Sequence, residues 1–226
     1  MSSSMNTDRE GLIEDVLTKE QQERLTPSAV LAMLKEGNRR FVAGEVTIRN
    51  HRAQIRKAVL SQYPKAIILS CVDSRVPVED VFDRGIGDLF VARVAGNFVN
   101  TDILGSMEFA CRVSGAKLIL VLGHEHCGAI KSAISNVKLG NITQMLTNLQ
   151  PAVAASRHFE GEQTSDNPEF VHQVTEHNVR LNIERIRQDS PILRELEENG
   201  QLLICGAVYD MDNGEVVFLP PFDGQD

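Results

Sequence analysis

The chain has 226 residues, which suits one large α/β domain and is too short for two comfortable ones. Hydrophobic residues are 42% and charged residues 24%, an ordinary globular composition that argues against disorder, and no run of 18 apolar residues is present to cross a membrane. A net charge of −8, only 5% aromatics and no tryptophan argue against a nucleic-acid binder and against base-stacking or sugar platforms.

Taken in chain order, residues 1–25 read as an N-terminal helical arm. Leu12, Ile13, Val16 and Leu17 recur at helical spacing among acids and glutamines, a stripe suited to packing on the parent domain or a partner subunit. The opening residues mix acids with isolated apolar positions and lack the apolar core of a signal peptide, so a reducing, cytoplasmic location is expected. Thr26-Pro27 is an N-cap followed by proline, and Val30, Leu31 and Leu34 give that helix an apolar face. Gly37 to Phe41 is expected to end or bend it, with Arg39 and Arg40 solvated.

Ala66 to Ser70 is a short continuous apolar run, the pattern of a strand buried on both faces. Similar runs follow at 89–92, 117–122 and 202–208, with helical patterns at 102–113, 128–139, 142–158 and 169–188 between them. Residues 160–168 read as an exposed loop. Asp212-Asn213-Gly214, set between Val208-Tyr209 and Val216 to Phe218, signals a hairpin. The expectation is an α/β fold: a mainly parallel central sheet covered by helices, with an antiparallel edge hairpin near the C-terminus and the helical arm at the N-terminus. Residues 26–226 then form a single domain.

Ligands in open α/β sheets bind beyond the carboxyl ends of the parallel strands. The first strand runs into Cys71-Val72-Asp73-Ser74-Arg75, and the third into His124-Glu125-His126-Cys127-Gly128. Cys71 and Asp73 are two apart and share a direction in extended chain. His124 and Cys127 are three apart and meet across a turn. Parallel strands end on the same sheet edge, so the two pairs can converge. Two thiolates and an imidazole suit Zn²⁺, and three protein ligands leave a fourth position for water whose pKa the ion lowers to about 7. Asp73 has two readings. It can take the fourth position and close the site, or it can pair with Arg75 and accept a hydrogen bond from the zinc-bound water. Four cysteines also permit two disulfides, but without a secretion signal metal-binding or buried thiols fit better.

At these residues the sequence resembles the β-class carbonic anhydrases. The match includes Cys71 to Pro77, Val91 to Asn97, Gly105 to Ala110, Gly123 to Ile130 and Gly206 to Asp210 with Gly214, and spans roughly residues 30–220. The resemblance implies reversible hydration of CO₂ to bicarbonate and a proton through a zinc-bound hydroxide, with one zinc per subunit. It makes Cys71, His124 and Cys127 the zinc ligands and Asp73 with Arg75 the catalytic dyad. Gln62 and the Gly128 N–H become the substrate contacts. It also implies a homodimer or homotetramer with the site at a dimer interface, and no nucleic-acid or membrane partner. Some family members hold bicarbonate at a second, inhibitory site with a tryptophan, an arginine and a tyrosine. Here Ile68 takes the tryptophan position while Arg93 and Tyr209 match the other two, which leans toward an open site with Asp73 on Arg75.

Other functions on the same residues are a zinc hydrolase of CS₂ or COS, and a closed structural zinc site or thiol sensor. The dyad speaks against the last. Cys111 and Cys205 read as buried filler. His126 reads as a surface or hydrogen-bonded residue, the remaining histidines as surface or satisfied polar groups, Glu125 as structural, and Asp80, Asp83 and Arg84 as solvated charges.

Overall fold

In the computed structural model, which describes residues 12–220, the expected apolar runs become strands. They are β1 (Ala66–Ser70), β2 (Leu89–Arg93), β3 (Leu118–His124), β4 (Leu203–Tyr209) and β5 (Val216–Phe218). They form one sheet in the order β2-β1-β3-β4-β5, parallel except for β5, which pairs antiparallel with β4. The α/β reading with its C-terminal antiparallel strand holds.

Although β1 and β3 are buried throughout, the strands still sort their side chains by alternation. Ile67, Leu69, Ile119, Val121 and Ile204 enter one core. Ala66, Ile68, Leu118, Leu120, Leu122 and Ala207 enter the opposite one.

The helices are α1 (Lys19–Glu23), α2 (Pro27–Ala43), α3 (His51–Ala58), α4 (Val78–Val81), α5 (Thr101–Glu108), α6 (Gly128–Ile134), α7 (Gly140–Leu146), α8 (Gln150–Ala155), α9 (Pro168–Asp189) and α10 (Pro191–Glu198). A π-helical turn, Phe109–Val113, continues α5. Helices α5, α9 and α10 cover the first core, and α2 and α4 the second.

Several expectations change. The stretch from Leu12 to Thr18 is extended, not helical. Ile13 donates its N–H to the Ile48 carbonyl and accepts from the Asn50 N–H, both at 2.9 Å. Helix is confined to α1, where buried Gln22 donates to the carbonyls of Pro64 at 2.6 Å and Ser114 at 2.9 Å. The described part of the arm therefore packs on its own domain, while its residues 1–11 lie outside the described residues, as do 221–226 of the C-terminus.

Gly37 does not end α2. A Cβ there would lie 1.9 Å from the Phe82 carbonyl oxygen, so glycine is what lets the helix lie against α4. The pattern at 142–158 splits into α7 and α8 because Pro151 lacks an N–H and sits in the first turn of a new helix. The pattern at 128–139 stops at Ile134, beyond which Asn136 takes a left-handed conformation, φ 50°. Asp83 is not solvated. Its carboxylate is buried and accepts from Arg40 at 2.6 Å, from Arg49, and from the Thr47 N–H and hydroxyl at 3.0 and 2.6 Å. Arg40 is thereby half-buried, and Arg84 donates to the carbonyls of Phe82 and Met33.

Candidate metal centre

Register brings the site together. Ser70, the last residue of β1, pairs with Leu122 of β3, so Cys71 emerges beside the end of β3. His124 is itself the last residue of β3, opposite Tyr209 of β4. Cys127 is the N-cap of α6. The ligand atoms of Cys71, His124 and Cys127 all lie within 4.8 Å of one another, and all three residues are buried. No other cluster among the described residues meets this condition.

The donor set fits a tetrahedral soft ion. Bonds of about 2.3 Å at tetrahedral angles require a sulfur–sulfur distance of roughly 3.8 Å, and the Cys71 and Cys127 sulfurs stand 4.0 Å apart. The His124 Nδ1 faces the Glu125 carbonyl oxygen at 2.8 Å, which places the proton on Nδ1. Its Nε2 is then left with a lone pair, buried and without any hydrogen-bond partner. Such an orphaned acceptor is costly unless something electrophilic meets it.

The sulfurs are tuned by their surroundings. The Cys127 thiol donates toward Cys71 and lowers the Cys71 pKa against the effect of burial, with help from the Gly96 N–H. Cys127 moves up for the same reason, although N–H groups of Ile130 and Ala129 at the start of α6 oppose the rise. The four cysteines are all free, and burial pushes the thiols of Cys111 and Cys205 up to about 12, as befits packing residues.

Asp73 lies at the mouth of this cluster. Its carboxylate accepts two bonds from the Arg75 guanidinium, at 2.9 and 2.8 Å, and one from the Arg75 N–H at 3.0 Å. Those bonds hold it well below the usual carboxylate range despite partial burial. Its Oδ2 is 3.9 Å from His124 Nε2, so the acid faces the ligand set while anchored on Arg75. Gly128 opens α6 in an exposed position with open space where a Cβ would stand. Gln62 is exposed and precedes β1, at the opposite edge of the sheet from Cys71. Five strand residues alone span about 17 Å, so one chain does not bring its own Gln62 to its own site.

The sequence reading missed the supports. Arg93, at the end of β2, donates to the carbonyls of Cys71, Asp73 and Val76 at 2.8, 2.7 and 3.1 Å and braces the loop that carries both the cysteine and the acid. Ile68 is fully buried in the second core, so the tryptophan position of the inhibitory-site pattern is a packing position here. Glu125 is held by His172 at 2.5 Å, whose other nitrogen faces Glu176 at 3.3 Å. These carboxylates raise the His172 pKa to about 10. His126 is exposed, with φ 55°.

A family model described as carbonic anhydrase matches residues 66–216, which include all three ligand candidates and Asp73. The chain belongs to the β-carbonic anhydrase family. Carbonic anhydrase 2 of Mycobacterium tuberculosis is 34% identical over 197 residues, covering 84% of this chain and 92% of that protein. A carbonic anhydrase of Mycolicibacterium smegmatis is 33% identical over 196 residues, with coverage of 84% and 92%. Among solved structures, a β-carbonic anhydrase of Aspergillus fumigatus superposes with a TM-score of 0.66 at 25% identity, covering 88% of this chain and 91% of that one. A tetrameric β-carbonic anhydrase of Sordaria macrospora gives 0.64 at 26%, covering 73% and 85%.

Proposed function

We propose that this chain catalyses the reversible hydration of CO₂ to bicarbonate and a proton, with one Zn²⁺ per subunit held by Cys71, His124 and Cys127. The observation that carries the reading is the buried, partnerless His124 Nε2 set between two thiols, with the Asp73 carboxylate beside it and tied to Arg75. Zinc, when bound there, acidifies water so that hydroxide is available near neutral pH. Asp73 stays ionised through Arg75 and can only accept hydrogen bonds, so it turns the lone pair of the nucleophile, not its proton, toward CO₂. Arg75 fixes that carboxylate beside the ligand set but short of bonding distance to it. The Gly128 N–H is available to an oxygen of CO₂ or bicarbonate. Gln62 serves the site of a second copy, which makes the working unit a homodimer or a pair of dimers. No helix of the described residues is long and apolar enough to cross a membrane, and the free thiols suit a cytoplasmic setting.

The test is stopped-flow CO₂ hydration on protein of measured zinc content. Hydration at pH 8–9 that scales with zinc supports the reading. Full zinc occupancy without hydration overturns it.

A further inference from the structure

Helix α9 carries two buried asparagines that face the loop after β2. Asn178 donates from Nδ2 to the Gly96 carbonyl at 2.9 Å. Asn182 donates from Nδ2 to Asn178 Oδ1 at 3.0 Å, and its own Oδ1 accepts the Val99 N–H at 2.7 Å. Both residues are almost wholly buried. The amides thus form a ladder in which each Nδ2 meets an acceptor and each Oδ1 a donor, which fixes the orientation of both asparagines. The loop they hold needs holding, for Gly96 has φ 86° and Asn97 φ 39°. The far side of Gly96 is closed, since a Cβ there would lie 2.7 Å from Leu149. What the loop delivers is the Gly96 N–H, which donates to the Cys71 sulfur at 3.4 Å.

We propose that Asn178 is a positioning residue for the metal centre, acting through Gly96 to keep an N–H donor on the Cys71 sulfur. The inference rests on the zinc reading given above. An N–H aimed at a thiolate draws off part of its charge and fixes its direction, and such outer contacts set both how tightly an ion is held and how much charge its ligands push onto it. Leu149 and the ladder clamp Gly96 from both sides. The Asn178 amide supplies the one bond of this ladder that ends on the residue touching sulfur.

Asn178→Asp keeps the shape and removes the donor, setting a carboxylate oxygen against the Gly96 carbonyl. Asn178→Ser is smaller and neutral, and serves if a buried acid prevents folding. Zinc affinity is measured by competition with a chromophoric chelator, and the thiolate-to-cobalt charge-transfer band is recorded on cobalt-loaded protein. Thermal unfolding is followed alongside. In a folded variant zinc binding is expected to weaken about 10- to 100-fold, and the charge-transfer band is expected to move. A purely structural role would lower the melting temperature and leave the band where it was, and that result overturns the proposal. Wild-type affinity in either folded variant does so too. Wild-type protein that takes up no zinc overturns the zinc reading, and this inference with it.

Discussion

Asp73 and Cys127 have separable duties. The Asp73 carboxylate touches no candidate ligand atom within bonding distance, and its hydrogen bonds run to Arg75. Asp73→Asn is therefore expected to keep its zinc and to lose about 100-fold or more in kcat/KM for CO₂ hydration, since general acid–base groups contribute on the order of 10²–10⁴. Full activity in that variant would remove the residue from the mechanism. In the proposed centre Cys127 would supply a ligand sulfur, so Cys127→Ala should fail to retain zinc after dialysis, as read by atomic absorption. Incubation with a strong chelator should abolish hydration in the wild type, and added Zn²⁺ should restore it. Failure of zinc to restore activity under conditions where the fold is intact would count against a zinc enzyme. The ligands were legible in the sequence because each pair sits within four residues of itself at the end of an apolar run. The donors behind them were not, because Gly96 is 25 residues from Cys71 and Asn178 is 82 from Gly96. No local pattern encodes contacts of that range.

At the scale of elements, two positions join α2 to the rest of the domain. Gly37→Ala would push a methyl into the Phe82 carbonyl, and overpacking of this kind costs about 1–3 kcal/mol. Urea denaturation should show a lower midpoint with an unchanged slope. Asp83 ties Arg40 of α2 to Thr47 and Arg49. Burial alone would raise its pKa, but the donors from Arg49, Thr47 and Arg40 outweigh burial and bring it to about 2. An unfolded aspartate titrates near 3.9. A depressed pKa stabilises the fold above the unfolded value, so this contribution should be intact above pH ~4 and drain away as pH falls through about 2. Asp83→Asn should cost roughly 3 kcal/mol at neutral pH by leaving two arginines without their acid, and should flatten the acid limb of the stability curve. An unchanged limb would assign acid unfolding to other groups. The strands were readable as β-branched runs, and α10 carries in Ser190-Pro191 the same cap-and-proline signal that announced α2 at Thr26-Pro27. Helix α3 gave no apolar stripe to read, being mostly polar and exposed, and rests on the Asn50 cap. The break between α7 and α8 was visible in Pro151, yet a continuous apolar pattern masked it.

At the scale of the whole molecule, the sheet separates two residues that the proposed reaction would bring together. Cys71 leaves the carboxyl end of β1 while Gln62 stands before its amino end. Next to that sheet edge, β2 is an outermost strand, and Phe109, about half exposed, lies against Phe90 with ring centroids 6.4 Å apart. The proposed reading needs a second copy to supply Gln62, and we propose that it covers this apolar border. Phe109→Glu should therefore yield monomers in sedimentation velocity, with zinc retained and hydration impaired. A variant that stays oligomeric would move the interface elsewhere.

On the proposed reading, the placement of Gln62 would give the chain a collective kinetics. If a centre borrows its glutamine from a neighbour, turnover per zinc becomes a function of total protein concentration. It should hold steady while the assembly is saturated and decline on dilution below the dissociation constant, with the metal still in place. A plot of specific activity against concentration would then trace a binding isotherm, and its midpoint would be the affinity of the chain for itself.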